Sequence, residues 1–216
     1  MSFAGRMEDP EDRDYTPPDF KPEILLLVSG KRKCGKDHFT ELLLKRLDQK
    51  DVAVMRIAEP IKYYWAQKHQ LDFNKLLGTS AYKEHHRLKM VEWSIEVRSK
   101  NKGYFNVTAI HMADGIGKPI WICVDIRHKR DYFWFLENYA DRIKRVRITA
   151  DQEVRVGRGW NYTEGVDDGP SECDLDDVTD WDLVIHNNGD EPEGLEPSLA
   201  TVAGWIKSKP GSSSSS

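Results

Sequence analysis

The sequence predicts an α/β fold in which helices wrap a parallel β-sheet. Short apolar runs alternate along the chain with segments of helical periodicity, a pattern typical of strand–helix–strand units. The chemically distinctive segments follow predicted strands or lie on the helices after them, and such sheets bind ligands at the carboxyl ends of their strands. The 216 residues are enough for one domain with a sizeable core.

Apolar runs and helical periodicity define the elements in order. The predicted strands are Ile24–Ser29, Val52–Ile57, Ile120–Val124, Val146–Thr149 and Leu183–Ile185. The predicted helices are Lys36–Lys50, Pro60–His69, Tyr82–Lys100, Tyr104–Met112, Tyr132–Tyr139 and Leu195–Lys207. Residues 1–22 are rich in charge and proline without a period, and residues 209–216 end in five serines, so both are predicted to be disordered or flexible tails. A single domain over residues 23–208 remains.

Composition excludes several classes of protein. A net charge of −4 and a pI of about 6.0 do not favour general binding to nucleic acids or anionic membranes. The three cysteines are widely spaced, which fits a reducing compartment and shows no metal-binding pattern. No apolar run is long enough to span a bilayer, and the acidic N-terminus is unlike a signal peptide. We therefore expect a cytosolic protein.

The glycine loop Gly30–Asp37, between the first strand and the first helix, is the most informative segment. Its glycines let successive N–H groups point at one anion, and the helix that follows adds the positive end of its dipole. Lys36 would reach the β- and γ-phosphates of a nucleoside triphosphate, and three further cations in the loop would repel one another without an anion among them. Asp37 stands where Ser or Thr usually holds magnesium, so a chance glycine turn capped by Asp is the alternative.

Polar residues follow two other predicted strands. Asp125 ends a strand, where it could hold magnesium opposite the phosphate loop or simply start a turn. The basic run 127–130 comes next, and at this end of the sheet it favours an anionic substrate over a solvated turn. Asn187 and Asn188 follow the last strand and could contact substrate or adenine, or form a turn.

Two helical segments could complete a site. Lys83 and Arg87 share one face of the helix Tyr82–Lys100, which either binds a phosphoryl acceptor or carries surface ion pairs. Residues 151–177 join Arg155 and Arg158 to a long acidic segment that contains glycine. In a phosphate-loop protein this composition is typical of a lid whose arginines close over the transferring phosphoryl group. An ordinary mobile loop is the alternative.

Together these motifs resemble those of the animal-type phosphomevalonate kinases, from about Ile24 to Lys207. The loop Ser29–Asp37 is similar to theirs, including Asp in place of Ser or Thr. Other similar segments, in the same order, are Tyr82-Lys83-Glu84, Pro119-Ile120-Trp121, Asp125 with Arg127, Arg158-Gly159-Trp160, Gly165-Val166-Asp167-Asp168 and Ser171-Glu172-Cys173. The resemblance implies a P-loop kinase three-layer fold, like that of the nucleoside-monophosphate kinases, with a five-stranded parallel sheet, a helical substrate-binding region and a lid.

The resemblance also implies a reaction and the residues for it. The reaction is transfer of the γ-phosphoryl group of ATP to 5-phosphomevalonate, with Mg²⁺, in the mevalonate pathway to isoprenoids and sterols. The residues implied for ATP are Gly30, Lys31, Arg32, Lys33, Cys34, Gly35, Lys36, Asp37, Arg158 and Asn188. Those implied for 5-phosphomevalonate are Lys83, Arg87, Arg127, His128 and Asn187, and those for magnesium are Asp37 and Asp125. The implied catalytic residues are Lys33, Lys36, Arg127 and Arg158.

Two departures and two rival functions accompany this interpretation. Cys34 stands where a serine is common, and His128 replaces an expected second arginine, which weakens a bidentate grip on phosphate. A nucleoside-monophosphate kinase would need a base-specific pocket, for which the sequence gives no signal. An ATP-binding regulatory protein would bind ATP without consuming an acceptor. We expect a monomeric enzyme with no nucleic-acid or membrane partner, in the cytosol or alternatively in the peroxisome.

Overall fold

The computed structural model describes residues 16–78, 81–189 and 192–208. The strands are β1 (Ile24–Ser29), β2 (Val52–Met55), β3 (Ile120–Ile126), β4 (Ile143–Thr149) and β5 (Leu183–His186). They form one five-stranded parallel sheet in the order β2-β3-β1-β4-β5. The predicted parallel α/β fold is therefore confirmed, with β1 at the centre of the sheet.

The helices are α1 (Lys36–Leu44), α2 (Ala58–His69), α3 (Phe73–Leu77), α4 (Ala81–Lys100), α5 (Tyr104–Met112), α6 (Lys129–Tyr139), α7 (Gln152–Gly157), α8 (Pro170–Cys173) and α9 (Glu196–Lys207). Short 3-10 turns lie at Gln49–Asp51, Ala140–Arg142 and Pro192–Leu195. The first predicted helix is too long: α1 ends at Leu44, and the Asp48 side chain then caps the first of these turns. The periodicity missed α3 and α8 because they are too short to show a repeat.

The central strand β1 is buried on both faces of the sheet, and its alternate residues point to opposite sides. Leu25 and Leu27 belong to a core formed with α5 and α6, whereas Leu26 and Val28 belong to a second core formed with α1 and α9. Burial on both faces explains why β1 is a continuous apolar run rather than an alternating one. Because β1 is the central strand, the loop after it lies at the middle of the carboxyl edge of the sheet.

The segments that flank the domain are described only from residue 16 to residue 208. Residues 1–15 and 209–216, which hold most of the predicted tails, lie outside the described residues. Residues 16–22 contain no helix or strand, yet the Phe20 ring lies 5.9 Å from that of Trp121, so the chain packs on the core before residue 23. Across the part of the chain that the structure describes, every helix is too short or too polar to cross a membrane.

Candidate active site

The loop after β1 has the backbone that a phosphate loop requires. Gly30 and Gly35 have φ values of 154° and 95°, and Lys33 between them has a φ of 63°. A Cβ atom at Gly30 would lie 2.3 Å from the Ile148 carbonyl oxygen, and one at Gly35 would lie 2.1 Å from Nδ2 of Asn187. Only glycine fits these two positions, because both space and backbone conformation exclude a side chain.

Lys36, the first residue of α1, lies inside the curl of this loop. Its side chain is buried, and Nζ donates to the carbonyl oxygens of Gly30 and Lys31 at 2.5 and 2.9 Å. Burial lowers the pKa of the Lys36 ammonium, and Cys34, whose Sγ is 3.8 Å from Nζ, partly opposes this effect. The ammonium therefore occupies the concave side of the loop, where a phosphate would meet it.

The two carboxylates expected to hold magnesium lie beside the same turn at the start of α2. Asp37 Oδ1 accepts from Nη1 of Arg56 at 2.9 Å. The oxygens of Asp125 accept from the amides of Ile57 and Ala58 at 2.7 and 3.0 Å. These amides begin α2, which is why β2 ends at Met55 and not at Ile57 as predicted. Asp125 therefore caps the start of α2, a role that neither alternative considered from the sequence included.

Magnesium chemistry fits these carboxylates without a dedicated protein cage. Among the described residues, no group of three or more His, Cys, Asp or Glu side chains is arranged to hold a metal. Kinases bind Mg²⁺ through one or two carboxylates together with the phosphates of the substrate. Asp37 directly follows the phosphate-loop lysine, and both Asp37 and Asp125 contact residues 56–58, so the two carboxylates fit that donor set.

A cluster of cations is formed by side chains of α2 and α4. Lys83 of α4 has its pKa lowered to about 8, first by burial and then by the charges of Lys62 and Arg87. Burial likewise lowers the pKa of Lys62, on α2. Cations crowded in this way favour binding of an anion. Arg87 also forms an ion pair with Glu84 at 2.6 Å. This face of α4 therefore carries a surface ion pair as well as cations that could bind a phosphoryl acceptor.

Lys62 is the member of this cluster that the sequence did not indicate. Its position on α2 carries no motif, and its neighbours on α4 are 21 or more residues away along the chain. Only the packing of α2 against α4 brings Lys62 near Lys83 and Arg87.

Arg127 lies between the phosphate loop and the cation cluster. Its charge lowers the pKa of both Lys36 and Lys83, which places it near each of them. Nη1 of Arg127 donates to Oε1 of Glu172 and, at 3.3 Å, to the carbonyl oxygen of Ser171. The charge of Arg127 therefore acts on both the phosphate loop and the cation cluster.

His128 differs from its neighbour in both burial and charge. Burial and then the charge of Arg98 lower its pKa to about 3, so the imidazole is neutral at physiological pH. Its Nδ1 lies 3.8 Å from Oδ2 of Asp174. A neutral imidazole is a weaker phosphate ligand than arginine, and substrate binding by His128 stays a prediction.

The arginines of the predicted lid contact the phosphate loop and the turn after β5. Arg158, which follows α7, donates through Nη1 and Nη2 to the carbonyl oxygens of Asn187 and Gly189, at 3.0 and 2.8 Å. Arg155 donates to the carbonyl oxygen of Arg32 at 2.8 Å, and its guanidinium lies 4.3 Å from the Trp160 ring centroid. Arg155 thus joins the site, although the implied site residues did not include it.

The two asparagines after β5 hold backbone in place. Asn187 Nδ2 donates to the Cys34 carbonyl oxygen at 2.9 Å, which puts this buried side chain against the phosphate loop. The side-chain amide of Asn188 accepts from the backbone N–H of Asp151 and donates to its carboxylate, both at 2.8 Å, immediately before α7. The side chain of Asn187 thus contacts the phosphate loop, and its contact with 5-phosphomevalonate stays a prediction.

Carboxylates from residues 167–176 neutralise the cations of the phosphate loop. Lys31 pairs with Asp176 at 2.6 Å, and Arg32 pairs with Asp167 at 3.0 Å. Lys33, by contrast, is exposed to solvent. The repulsion expected among the loop cations is thus reduced by the acidic segment of the chain itself.

The parallel sheet, the phosphate loop after its central strand and the cations around that loop define a P-loop kinase. A model of the phosphomevalonate kinase family matches residues 28–141. A phosphomevalonate kinase of Drosophila melanogaster is 47% identical over 167 residues, which are 76% of this chain and 88% of the relative. The chain belongs to the phosphomevalonate kinase family. The resemblance predicted from the sequence is therefore confirmed.

Two solved structures match this chain at much lower sequence identity. The crystal structure of TT1252 from Thermus thermophilus matches with a TM-score of 0.52 and 15% identity, over 86% of this chain and 98% of that one. A shikimate kinase from Bacteroides thetaiotaomicron matches with a TM-score of 0.43 and 11% identity, over 85% of this chain and 98% of that one. The first of these similarities supports the α/β fold and nothing beyond it.

Proposed function

We propose that this protein transfers the γ-phosphoryl group of ATP to 5-phosphomevalonate and releases ADP and 5-diphosphomevalonate. Membership of the family supports the substrate. The observation that carries the proposal is the position of Arg127, whose charge acts on Lys36 of the phosphate loop and on Lys83 of the cation cluster. A donor phosphate at the loop and an acceptor phosphate at the cluster would meet beside this one guanidinium.

The chemistry needs positioning and charge neutralisation rather than a covalent intermediate. Lys36 and the loop amides bind the β- and γ-phosphates, and Arg158 approaches the same region from the lid. Lys62, Lys83, Arg87 and Arg127 hold the acceptor phosphate, an oxygen of which attacks the γ-phosphorus in line. The acceptor oxygen is already ionised, so no strong general base is required.

Magnesium is the proposed cofactor, held by Asp37 and Asp125 together with the ATP phosphates. When bound, it would neutralise charge on the β- and γ-phosphate oxygens. Lys33, which is exposed at the rim of the loop, would contribute charge as the nucleotide binds. Asn188 is proposed to lie near the nucleotide. A monomer over residues 23–208 and a cytosolic location complete the proposal.

The test is ADP release from ATP and magnesium with 5-phosphomevalonate, measured beside AMP, CMP, GMP and UMP as acceptors. Turnover that requires 5-phosphomevalonate and stops when magnesium is chelated supports the proposal. Turnover with a nucleotide would keep the fold and reject the proposed acceptor. If no acceptor produced ADP release although ATP binding was measurable, catalysis would be rejected in favour of a regulatory ATP-binding protein.

A further inference from the structure

Glu172 joins Arg127 to the phosphate loop through a single buried carboxylate. Its side chain is only 1% exposed, and it belongs to the short helix α8. Oε1 accepts from Nη1 of Arg127, and Oε2 accepts from the backbone amide of Arg32 in the phosphate loop at 2.8 Å. One oxygen thus binds the cation assigned to the acceptor phosphate, and the other binds the loop assigned to ATP.

The carboxylate leaves the rest of the Arg127 guanidinium available. Among the described residues, the side-chain hydrogen bonds of Arg127 all come from Nη1, and both acceptors lie on α8. The planar guanidinium has further N–H groups, at Nε and Nη2, that can donate to a phosphate. The hydrogen bonds from Nη1 therefore fix the orientation of the guanidinium and leave the N–H groups at Nε and Nη2 available for a phosphate.

Helix α8 is itself anchored on both sides of Glu172. Before it, Asp167 accepts from Arg32 Nη1 at 3.0 Å and from the Trp160 indole at 2.9 Å. After it, Asp174 accepts from the Lys129 amide at 2.8 Å, at the start of α6. The Glu172 amide donates to the Gly169 carbonyl oxygen at 3.0 Å. The carboxylate is therefore a fixed point between the phosphate loop and the end of β3.

We propose that Glu172 is a positioning residue that sets the place of Arg127 relative to the phosphate loop. This inference rests on the proposed function and extends it. In-line transfer requires the acceptor oxygen and the γ-phosphorus to be held at a defined separation, and a misplacement of about 1 Å can cost about a hundredfold in rate. Glu172 acts through Arg127 and does not touch the reacting atoms.

The test compares Glu172→Gln with the wild type by steady-state kinetics in both substrates. Glutamine keeps the shape and the acceptor for the Arg32 amide but removes the charge that holds Arg127. We expect kcat to fall by about tenfold or more and KM for 5-phosphomevalonate to rise, with KM for ATP changed by less than about threefold. Asp177→Asn is the matched control, because that carboxylate lies in the same segment, pairs with Lys129 and is 69% exposed.

A double-mutant cycle separates positioning from a purely structural role. With Arg127 replaced by alanine, Glu172→Gln should cause little further loss of kcat, because the residue it positions is gone. Independent, multiplicative losses would overturn the proposal. So would unchanged kinetics in Glu172→Gln, or a lower KM for 5-phosphomevalonate, which would make the carboxylate a competitor of the acceptor phosphate.

Stability and wild-type activity serve as further readouts. Each variant is compared by thermal melting with and without ATP, so a folded variant is recognised by its ATP-dependent rise in Tm. If Glu172→Gln does not fold, Glu172→Asp gives the same test, since its shorter carboxylate cannot reach both partners, and the same loss of kcat is expected. A wild-type protein inactive with 5-phosphomevalonate would instead reject the proposed function itself.

Discussion

Replacing Gly35 by alanine tests whether the phosphate loop depends on close approach of its backbone to Asn187. Gly35 has a φ of 95°, where an L-residue is strained by about 1–2 kcal/mol. The new Cβ atom would lie 2.1 Å from Nδ2 of Asn187, so that side chain must move. Its hydrogen bond to the Cys34 carbonyl oxygen would then be lost, at a cost of about 0.5–1.5 kcal/mol.

Together these terms lower the free energy of unfolding by about 2–4 kcal/mol, with the rest coming from the displaced neighbours. For a chain of this size, each kcal/mol changes Tm by about 2–4 °C, so we expect Tm to fall by about 4–16 °C. The loop amides would also leave their positions around the phosphate. The rise in Tm that ATP produces in the wild type should therefore largely disappear.

Gly204→Ala is the control, since the same change at a different glycine should act in the opposite direction. Gly204 is exposed in the interior of α9, and no heavy atom lies within 4 Å of an added Cβ. Alanine there should stabilise the protein by about 0.5–1 kcal/mol through helix propensity. The assay is thermal melting of both variants with and without ATP and magnesium. A Gly35→Ala protein with wild-type Tm and a normal ATP response would show that the loop tolerates a side chain at this position.

Two further predictions concern the cations. Lys36→Ala should reduce kcat by about a hundredfold or more, because the ammonium inside the loop stabilises charge in the transition state; near-normal turnover would contradict its role. Lys83 has a pKa of about 8, so kcat/KM for 5-phosphomevalonate should decline above about pH 8 as its charge is lost. In Lys83→Arg the side chain stays charged and this decline should vanish, whereas a pH profile that matches the wild type would assign it to another group.

The elements that were predicted well are those with long, regular apolar patterns. The strand Ile24–Ser29 and the helix Tyr104–Met112 have the predicted bounds, because both are buried over nearly their whole length. The predicted strand Val52–Ile57 is too long, because the Ile57 amide donates to Asp125 and α2 begins there. Asp125 is 68 residues from Ile57 along the chain. Such a long-range contact leaves no local signal in the sequence.

The candidate site shows the same division. The glycine loop was recognised because its chemistry is local: glycines, a lysine and a helix start lie within eight residues of Gly30. Lys62 carries no such local signal, and its proximity to Lys83 depends on how α2 packs against α4. The hydrogen bond from Asn187 to the Cys34 carbonyl oxygen joins residues 153 positions apart, so the sequence gives no local signal for it either.

The parallel α/β architecture, the phosphate loop and the resemblance to the phosphomevalonate kinases can all be predicted without a structure, because each depends on a contiguous pattern of residues. Which charged side chains contact one another depends on the folded arrangement of distant segments. Arg127 and Glu172 are 45 residues apart, and Lys31 and Asp176 are 145 residues apart. Electrostatic interactions depend on distance in space and on burial, and the folding of β3, α8 and the phosphate loop onto one edge of the sheet fixes both.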